Sequence, residues 1–177
     1  SRHMDTWQFR LAEMDDLPRL LEIYAAARAF MVRTGNTTQW ADGRPHEAQL
    51  RQDIAKRQLY VGESNGEIHG ALAFIQGEDP TYAVIEHGAW RSDAPYGTLH
   101  RVASDGLAHG MMPAAVAFCA AMQPHLRIDT HEENAPMRRQ IARCGFEYCG
   151  IIHIADGSPR MAFERLPGKS PAGDAAV

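Results

Sequence analysis

Two stretches, Leu99–Phe118 (LHRVASDGLAHGMMPAAVAF) and Leu126–Phe146 (LRIDTHEENAPMRRQIARCGF), decide the fold. Leu99 to Ala103 reads as a short strand, SDGLAHG as a glycine-bearing loop and Met112 to Met122 as an apolar helix. Leu126 to Thr130 is a further strand, and Ala135 to Cys144 a helix stopped by Gly145. Strand–helix–strand over about thirty residues implies a right-handed parallel crossover. A loop that runs into a helix N-terminus presents backbone N–H groups, and the helix dipole adds to them. Together they make an anion site suited to a pyrophosphate. Where two parallel strands part, an open crevice can admit a ligand arm. A glycine loop taken alone is as often a plain connection.

Upstream, Trp7 to Ala12 alternates as a strand does. Asp15 or Asp16 can cap a helix with Pro18 in its first turn, where a missing N–H costs nothing. Leu17, Leu20, Leu21, Tyr24, Ala27 and Met31 recur at helical spacing, and Gly35 ends the pattern. A polar loop, NTTQWADGRP, carries Trp40 and leads to an amphipathic helix over His46 to Arg57. Leu59–Ser64 and Ile68–Gln76 are two strands around Asn65-Gly66, a strong hairpin signal. Thr81 to Ile85 is expected to extend the antiparallel sheet. Downstream, Phe146–Ile154 and Arg160–Arg165 form a hairpin around Asp156-Gly157.

The expected class is α/β (α+β): a mixed, mostly antiparallel sheet of about six or seven strands with about four helices. Ser1-Arg2-His3 before Met4 reads as the remnant of a tag, and the tail PGKSPAGDAAV from Pro167 as disordered. One domain is expected over residues 5–166. The chain has 177 residues, 45% hydrophobic and 23% charged, with a formal net charge of -4. That balance lacks the basic footprint of a nucleic-acid binder. No apolar run approaches the ~20 residues of a membrane span. Cys119, Cys144 and Cys149 are odd in number and lack C-x-x-C spacing, so a reducing compartment, the cytoplasm, is expected. Nine histidines accompany many carboxylates. No H-E-x-x-H or C-x-x-C arrangement orders them, so no metal site is expected.

Several blocks in order resemble a subgroup of the GNAT N-acetyltransferases: ARAFMVRTGNTTQW, YVGE, GEDPTYAVIEHGAW, LHRVAS, RIDTHEENAPM and GFEYCGII. The resemblance spans about Phe9 to Leu166. GNAT enzymes carry a Val at the end of their fourth strand and then a Gln/Arg-x-x-Gly-x-Gly/Ala loop. Here Val102 stands in the strand, and the loop positions are Leu107, Gly110 and Met112, of which Gly110 fits. The family's Asn, helix and Gly-Phe are matched by Asn134, Gly145 and Phe146. Many relatives place a Tyr four residues before Gly-Phe as general acid, and here that position is Ile141.

The resemblance implies acetyl-CoA as co-substrate, held in a splayed central pair of parallel strands. Backbone N–H groups of Leu107, Ala108, His109, Gly110, Met111 and Met112 would hold its pyrophosphate. Those near Val102 and Ala103, freed by a strand bulge, would serve the acetyl carbonyl. Asn134 and Met137 would line the pantetheine arm. Acetyl transfer also needs a base. Glu86, His100, Asp129 and His131 lie at or just beyond strand ends, and His titrates nearest neutrality. Each has a structural reading as well: core histidine for His100, turn cap or Arg127 partner for Asp129, solvated loop for His131, surface charge for Glu86. Trp40, Trp90 and Tyr96 are candidates for an acceptor pocket or for core.

The acceptor would be a primary amine of a small molecule, a peptide N-terminus or a lysine, and the negative net charge leans towards a cationic one. No nucleic-acid or membrane partner is expected, and a homodimer is left open. Because Leu107 and Ile141 depart from the family pattern, a catalytically silent acyl-CoA-binding sensor is the alternative.

Overall fold

The computed structural model describes residues 4–168; the expected tag remnant before Met4 and the chain from residue 169 onward lie outside it. Seven strands form one sheet: β1 (Gln8–Leu11), β2 (Leu59–Ser64), β3 (Glu67–Gln76), β4 (Gly97–Ser104), β5 (Leu126–Thr130), β6 (Glu147–His153) and β7 (Pro159–Arg165). Their order is β1-β2-β3-β4-β5-β7-β6. Four helices flank them: α1 (Leu17–Arg33), α2 (Glu47–Ala55), α3 (Met111–Met122) and α4 (Ala135–Arg143).

Local chemistry accounts for most boundaries. The Glu13 N–H donates to the Asp16 carboxylate at 2.8 Å, fixing the turn that starts α1, and Pro18 follows in the first turn. At its far end Gly35 takes φ +93, a conformation that Asn36 completes by donating from its N–H to the Met31 carbonyl at 2.8 Å. Asn65 and Gly66 both adopt positive φ, +54 and +79, as a type I′ hairpin turn requires.

Apolar side chains divide between the two sheet faces. On one, α3 and α4 bury Met112, Val116, Cys119 and Ile141 against Leu72, Leu99, Leu126 and Ile128. On the other, α1 and α2 bury Leu20, Ile23, Tyr24 and Leu50 against Val61, Ala71, Ala73 and Ala103. Each fully buried aliphatic side chain contributes roughly 1.5–3 kcal/mol.

One expected strand does not form. Pro80–Tyr82 is a short 3-10 turn, and from the segment Thr81–Ile85 onward the next sheet contact is an isolated bridge between Glu86 and Ile151. The cause is local. Pro80 has no N–H to give a ladder, and an Asp79 carboxylate oxygen accepts from the Thr81 N–H at 2.9 Å and its hydroxyl at 2.7 Å.

The centre of the sheet positions the site. β4 and β5 are parallel and pair only at Gly97↔Leu126, Thr98↔Arg127 and Leu99↔Ile128; beyond these the two strands separate. On its other edge β4 bulges against β3, since Ala71 opposes Ala103 while Ala73 opposes His100. Arg101 and Val102 therefore share the single partner Leu72. Arg101 takes φ +51, a costly value for a side chain other than glycine. It is held there by bonds from its guanidinium to buried Asp53 at 2.7 and 3.0 Å, and by the Tyr24 hydroxyl donating to its carbonyl at 2.6 Å.

Candidate active site where β4 and β5 part

A pocket of about 290 Å³ opens at this parting. Leu99, Val102, Ile128 and Met137 reach it from the α3/α4 side, and His100, Asp129 and Arg160 also line it. The loop between α1 and α2 forms a further wall through Gln39, Trp40 and Arg44. That loop is docked by specific bonds. Thr38 meets His131 Nε2 at 3.0 Å, and the Asn134 amide donates to Gln39 at 3.1 Å.

His100 sits in the pocket wall with Nε2 3.0 Å from an Asp79 carboxylate oxygen. With Nε2–H donating to Asp79, the other ring nitrogen is left as an acceptor. Burial alone would raise the Asp79 carboxyl, but hydrogen bonds from His100 and Thr81 outweigh it and hold the group down to about 2. Asp129 lies beside it on the same wall and accepts from the Tyr82 hydroxyl at 2.7 Å. Burial raises the Asp129 carboxyl, against the pull of His100, the Tyr82 bond and Arg160. Two carboxylates of opposite tendency thus flank one imidazole, an arrangement suited to proton transfer.

The remaining expected site residues are distributed as follows. Trp40 lines the pocket and tilts against Tyr24 with ring centroids 5.7 Å apart. Trp90 and Tyr96, expected beside it, are elsewhere. They sandwich the Arg127 guanidinium at 3.9 and 4.0 Å over a second hollow, because Glu164 and the Ser92 carbonyl fix Arg127 beneath them. Glu86 is exposed at the sheet margin, 3.4 Å from His153. His131 uses both ring nitrogens: Nδ1 accepts from the Glu133 N–H at 3.0 Å, leaving Nε2 to donate to Thr38. It braces the loop rather than facing the pocket.

Asn134 caps α4 by accepting from the Met137 N–H at 3.2 Å while its amide nitrogen holds Gln39. Its side chain is therefore largely committed to the protein. Ala103 faces the α1 core. In the loop before α3, Gly110 takes φ +87 at the N-cap, Leu107 projects into solvent, and Ala108, Met111 and Met112 are buried. The His109 N–H donates to the Asp5 carboxylate at 2.7 Å, and the Asp5 N–H returns a bond to the His109 carbonyl at 3.1 Å. Ile141 is fully buried among α3 and β5 residues, not at the cleft; Met137, one turn earlier, lines the pocket.

Asp79, Gln39, Arg44 and Arg160 were not singled out by the sequence. Asp79 and Gln39 lie inside the blocks GEDPTYAVIEHGAW and GNTTQW, the only signal that pointed to them. Among the described residues no group of three or more His, Cys, Asp or Glu could hold a metal ion, and no helix is long and apolar enough to cross a membrane. The three cysteines are buried and free.

No protein-family model and no curated protein matches the chain. Solved structures do. A GNAT-family acetyltransferase from Streptococcus agalactiae 2603 aligns with TM-score 0.85 and 29% identity over 94% of this chain and 99% of that one. A GNAT-family acetyltransferase from Listeria monocytogenes 4b F2365 aligns with TM-score 0.66 and 16% identity over 90% and 94%. The ribosomal-protein-S18-alanine N-acetyltransferase of Escherichia coli aligns with TM-score 0.59 and 15% identity over 93% and 96%.

Proposed function

Starting from the GNAT acetyltransferase fold, which this chain has, we propose that it transfers an acetyl group from acetyl-CoA to a primary amine by direct attack in a ternary complex. The observation that carries this reading is the parting of β4 and β5 with His100, oriented by Asp79, in the wall of the resulting pocket.

The amine lone pair attacks the thioester carbonyl carbon and forms the C–N bond. The C–S bond then breaks, and the proton lost from nitrogen as the amide forms passes through water to the departing sulfur, so that coenzyme A leaves as the thiol. His100 is the base: before the attack its free ring nitrogen takes one proton from the bound ammonium, while Asp79 steadies the imidazolium until it returns that proton to solvent. Asp129 holds the incoming ammonium before it is deprotonated. The bulge at Arg101 and Val102 supports a role for backbone N–H groups there in stabilising the oxyanion, because a bulge takes such groups out of the ladder. For the pyrophosphate, the first turn of α3 fits, since the N–H groups that open a helix have no intrahelical acceptor. Val102, Met137 and Asn134 would line the pantetheine arm. Cytoplasmic location and action as a single domain complete the reading.

Acetyl-CoA should raise the melting temperature of the full chain, and a panel of primary amines should release coenzyme A from it. Binding without turnover of any amine would instead favour a silent acyl-CoA sensor. The absence of any shift at millimolar acetyl-CoA would sink both readings.

A further inference from the structure

Arg160, on β7, is 5% exposed and lines the pocket, yet its hydrogen bond goes only to the carbonyl of its neighbour Pro159, at 2.8 Å. Among the described residues no carboxylate forms an ion pair with it. Two arginines of the neighbouring strands are spoken for: half-buried Arg101 by Asp53, and buried Arg127 by Glu164. The acids near Arg160 are engaged too. Asp129 binds the Tyr82 hydroxyl, while Asp156 faces Arg44 at 3.6 Å and the Ser158 hydroxyl. A half-desolvated guanidinium whose donors open mostly onto the pocket rather than onto a protein acceptor is poised to take an anion there.

Its placement says which ligand that is. Residues on a strand alternate between faces. Phe163 belongs to the α3/α4 core, and Ala162 packs with Tyr82, Tyr96 and Ile152 on the opposite face. Arg160 shares the face of Ala162, and so does Asp129, which opposes Ala162 in the ladder. This face is turned away from α3, whose N-terminus suits the coenzyme phosphates.

We infer that the acceptor is a primary amine that also carries an oxyanion, carboxylate or phosphonate, which Arg160 takes as a bidentate ligand while the amine is presented to Asp129 and His100. This rests on the acetyltransferase reading above. The planar fork of a guanidinium matches both oxyanions, and the opposite charges of Asp129 and Arg160 match a zwitterion.

The test uses the full chain with acetyl-CoA and matched acceptors: L-amino acids, their C-terminal amides, and 1-aminoalkylphosphonates of the same side chain. Coenzyme A release gives kcat/KM, and melting shifts with coenzyme A present report binding. The anionic member of at least one set should exceed its amide by about tenfold or more, as a charge-assisted pair of this kind implies. Whether carboxylate or phosphonate leads identifies the anion. Arg160→Gln should erase that preference and leave the acetyl-CoA KM within about twofold, with Arg160→Lys retaining part of it. Amides turned over as well as their acids would overturn this inference while leaving the acetyltransferase reading intact. So would a preference that survives in folded Arg160→Gln, or anionic amines that neither shift nor react. If Arg160→Gln does not fold, the wild-type comparison of matched sets decides alone.

Discussion

The His100 ring nitrogen Nε2 and a carboxylate oxygen of Asp79 stand 3.0 Å apart, joining β4 to the turn that follows β3. The pair fixes which ring nitrogen carries the proton. His100→Gln should keep the fold and lower kcat by about 10²–10⁴, the usual contribution of a general base. Asp79→Asn should cost less, about tenfold, because the ring remains but its orientation loosens. Initial rates on variants checked by circular dichroism decide; a His100→Gln enzyme within about twofold of wild type removes His100 as the base.

The same contact couples stability to acid. Asp79 is held at about 2, below the 3.8 of an ordinary aspartate. Its folded pKa is depressed, so its contribution is fully present above 3.8 and is lost as pH falls through the window down to about 2. The urea midpoint of the wild type should therefore drop across this window more steeply than that of Asp79→Asn. Parallel pH profiles for the two proteins would contradict the assignment.

Asp5 presents a second expectation. Its carboxylate accepts from the His109 N–H in the loop proposed for the pyrophosphate. A carboxylate there competes with the phosphate for one donor and repels its charge. Asp5→Ala should lower the coenzyme A dissociation constant several-fold, while loss of the bond to the His109 N–H costs the free protein roughly 1.5–3 kcal/mol. Calorimetric titration reads the affinity, and unfolding of the free protein reads the stability. Weaker binding in the variant would mean that Asp5 positions the loop instead of blocking it.

Asn134 tests the split between capping and binding. Asn134→Asp retains the cap to the Met137 N–H but cannot donate to Gln39. Thermal stability should stay near that of wild type, whereas Asn134→Ala loses about 1 kcal/mol for the cap alone. The acetyl-CoA KM of the Asp variant should rise several-fold as the loop over the pocket loosens. An unchanged KM would confine Asn134 to α4.

Ile141, where the sequence resemblance led to the expectation of a tyrosine in relatives, lies fully buried in the core. Ile141→Tyr adds bulk and a hydroxyl where aliphatic neighbours offer no partner. Overpacking of this kind costs about 1–3 kcal/mol. Chemical denaturation should show the loss, with no gain in kcat. A variant as stable as wild type and faster would show that the tyrosine reaches the cleft after all.

Much of the fold was legible along the chain, for reasons that are local. The strand–loop–helix–strand run through Leu99 to Thr130, the Asn65-Gly66 hairpin and the Gly35 stop depend on residue periods of two and 3.6 and on which residues tolerate positive φ. The failure at Thr81–Ile85 is also local: Asp79 and Pro80 made a turn, a competition that alternation of apolar residues does not register. The candidate site was legible only in part. His100, Asp129, Val102, Trp40, Asn134 and Met137 do converge on the pocket. Trp90, Tyr96 and Glu86 do not, since residue type alone cannot distinguish an aromatic that lines a ligand site from one that stacks on Arg127.

What the sequence determined by itself, then, was the succession of elements, the parallel crossover and a supply of histidines, carboxylates and aromatics near its strand ends. Which of these groups meet was decided by tertiary structure. Asp79 reaches His100 because Ala73 to Gln76 pair with His100 to Gly97 beyond the bulge, and Thr38 reaches His131 because the α1–α2 loop docks just beyond the end of β5. Arg160 and Asp129 come to one face of the sheet because β7 inserts beside β5, between it and β6. Spacing along a chain sets the face on which a side chain emerges. The distance between side chains on different elements is set by sheet register and by the point where paired strands separate, and neither quantity is a property of any short segment.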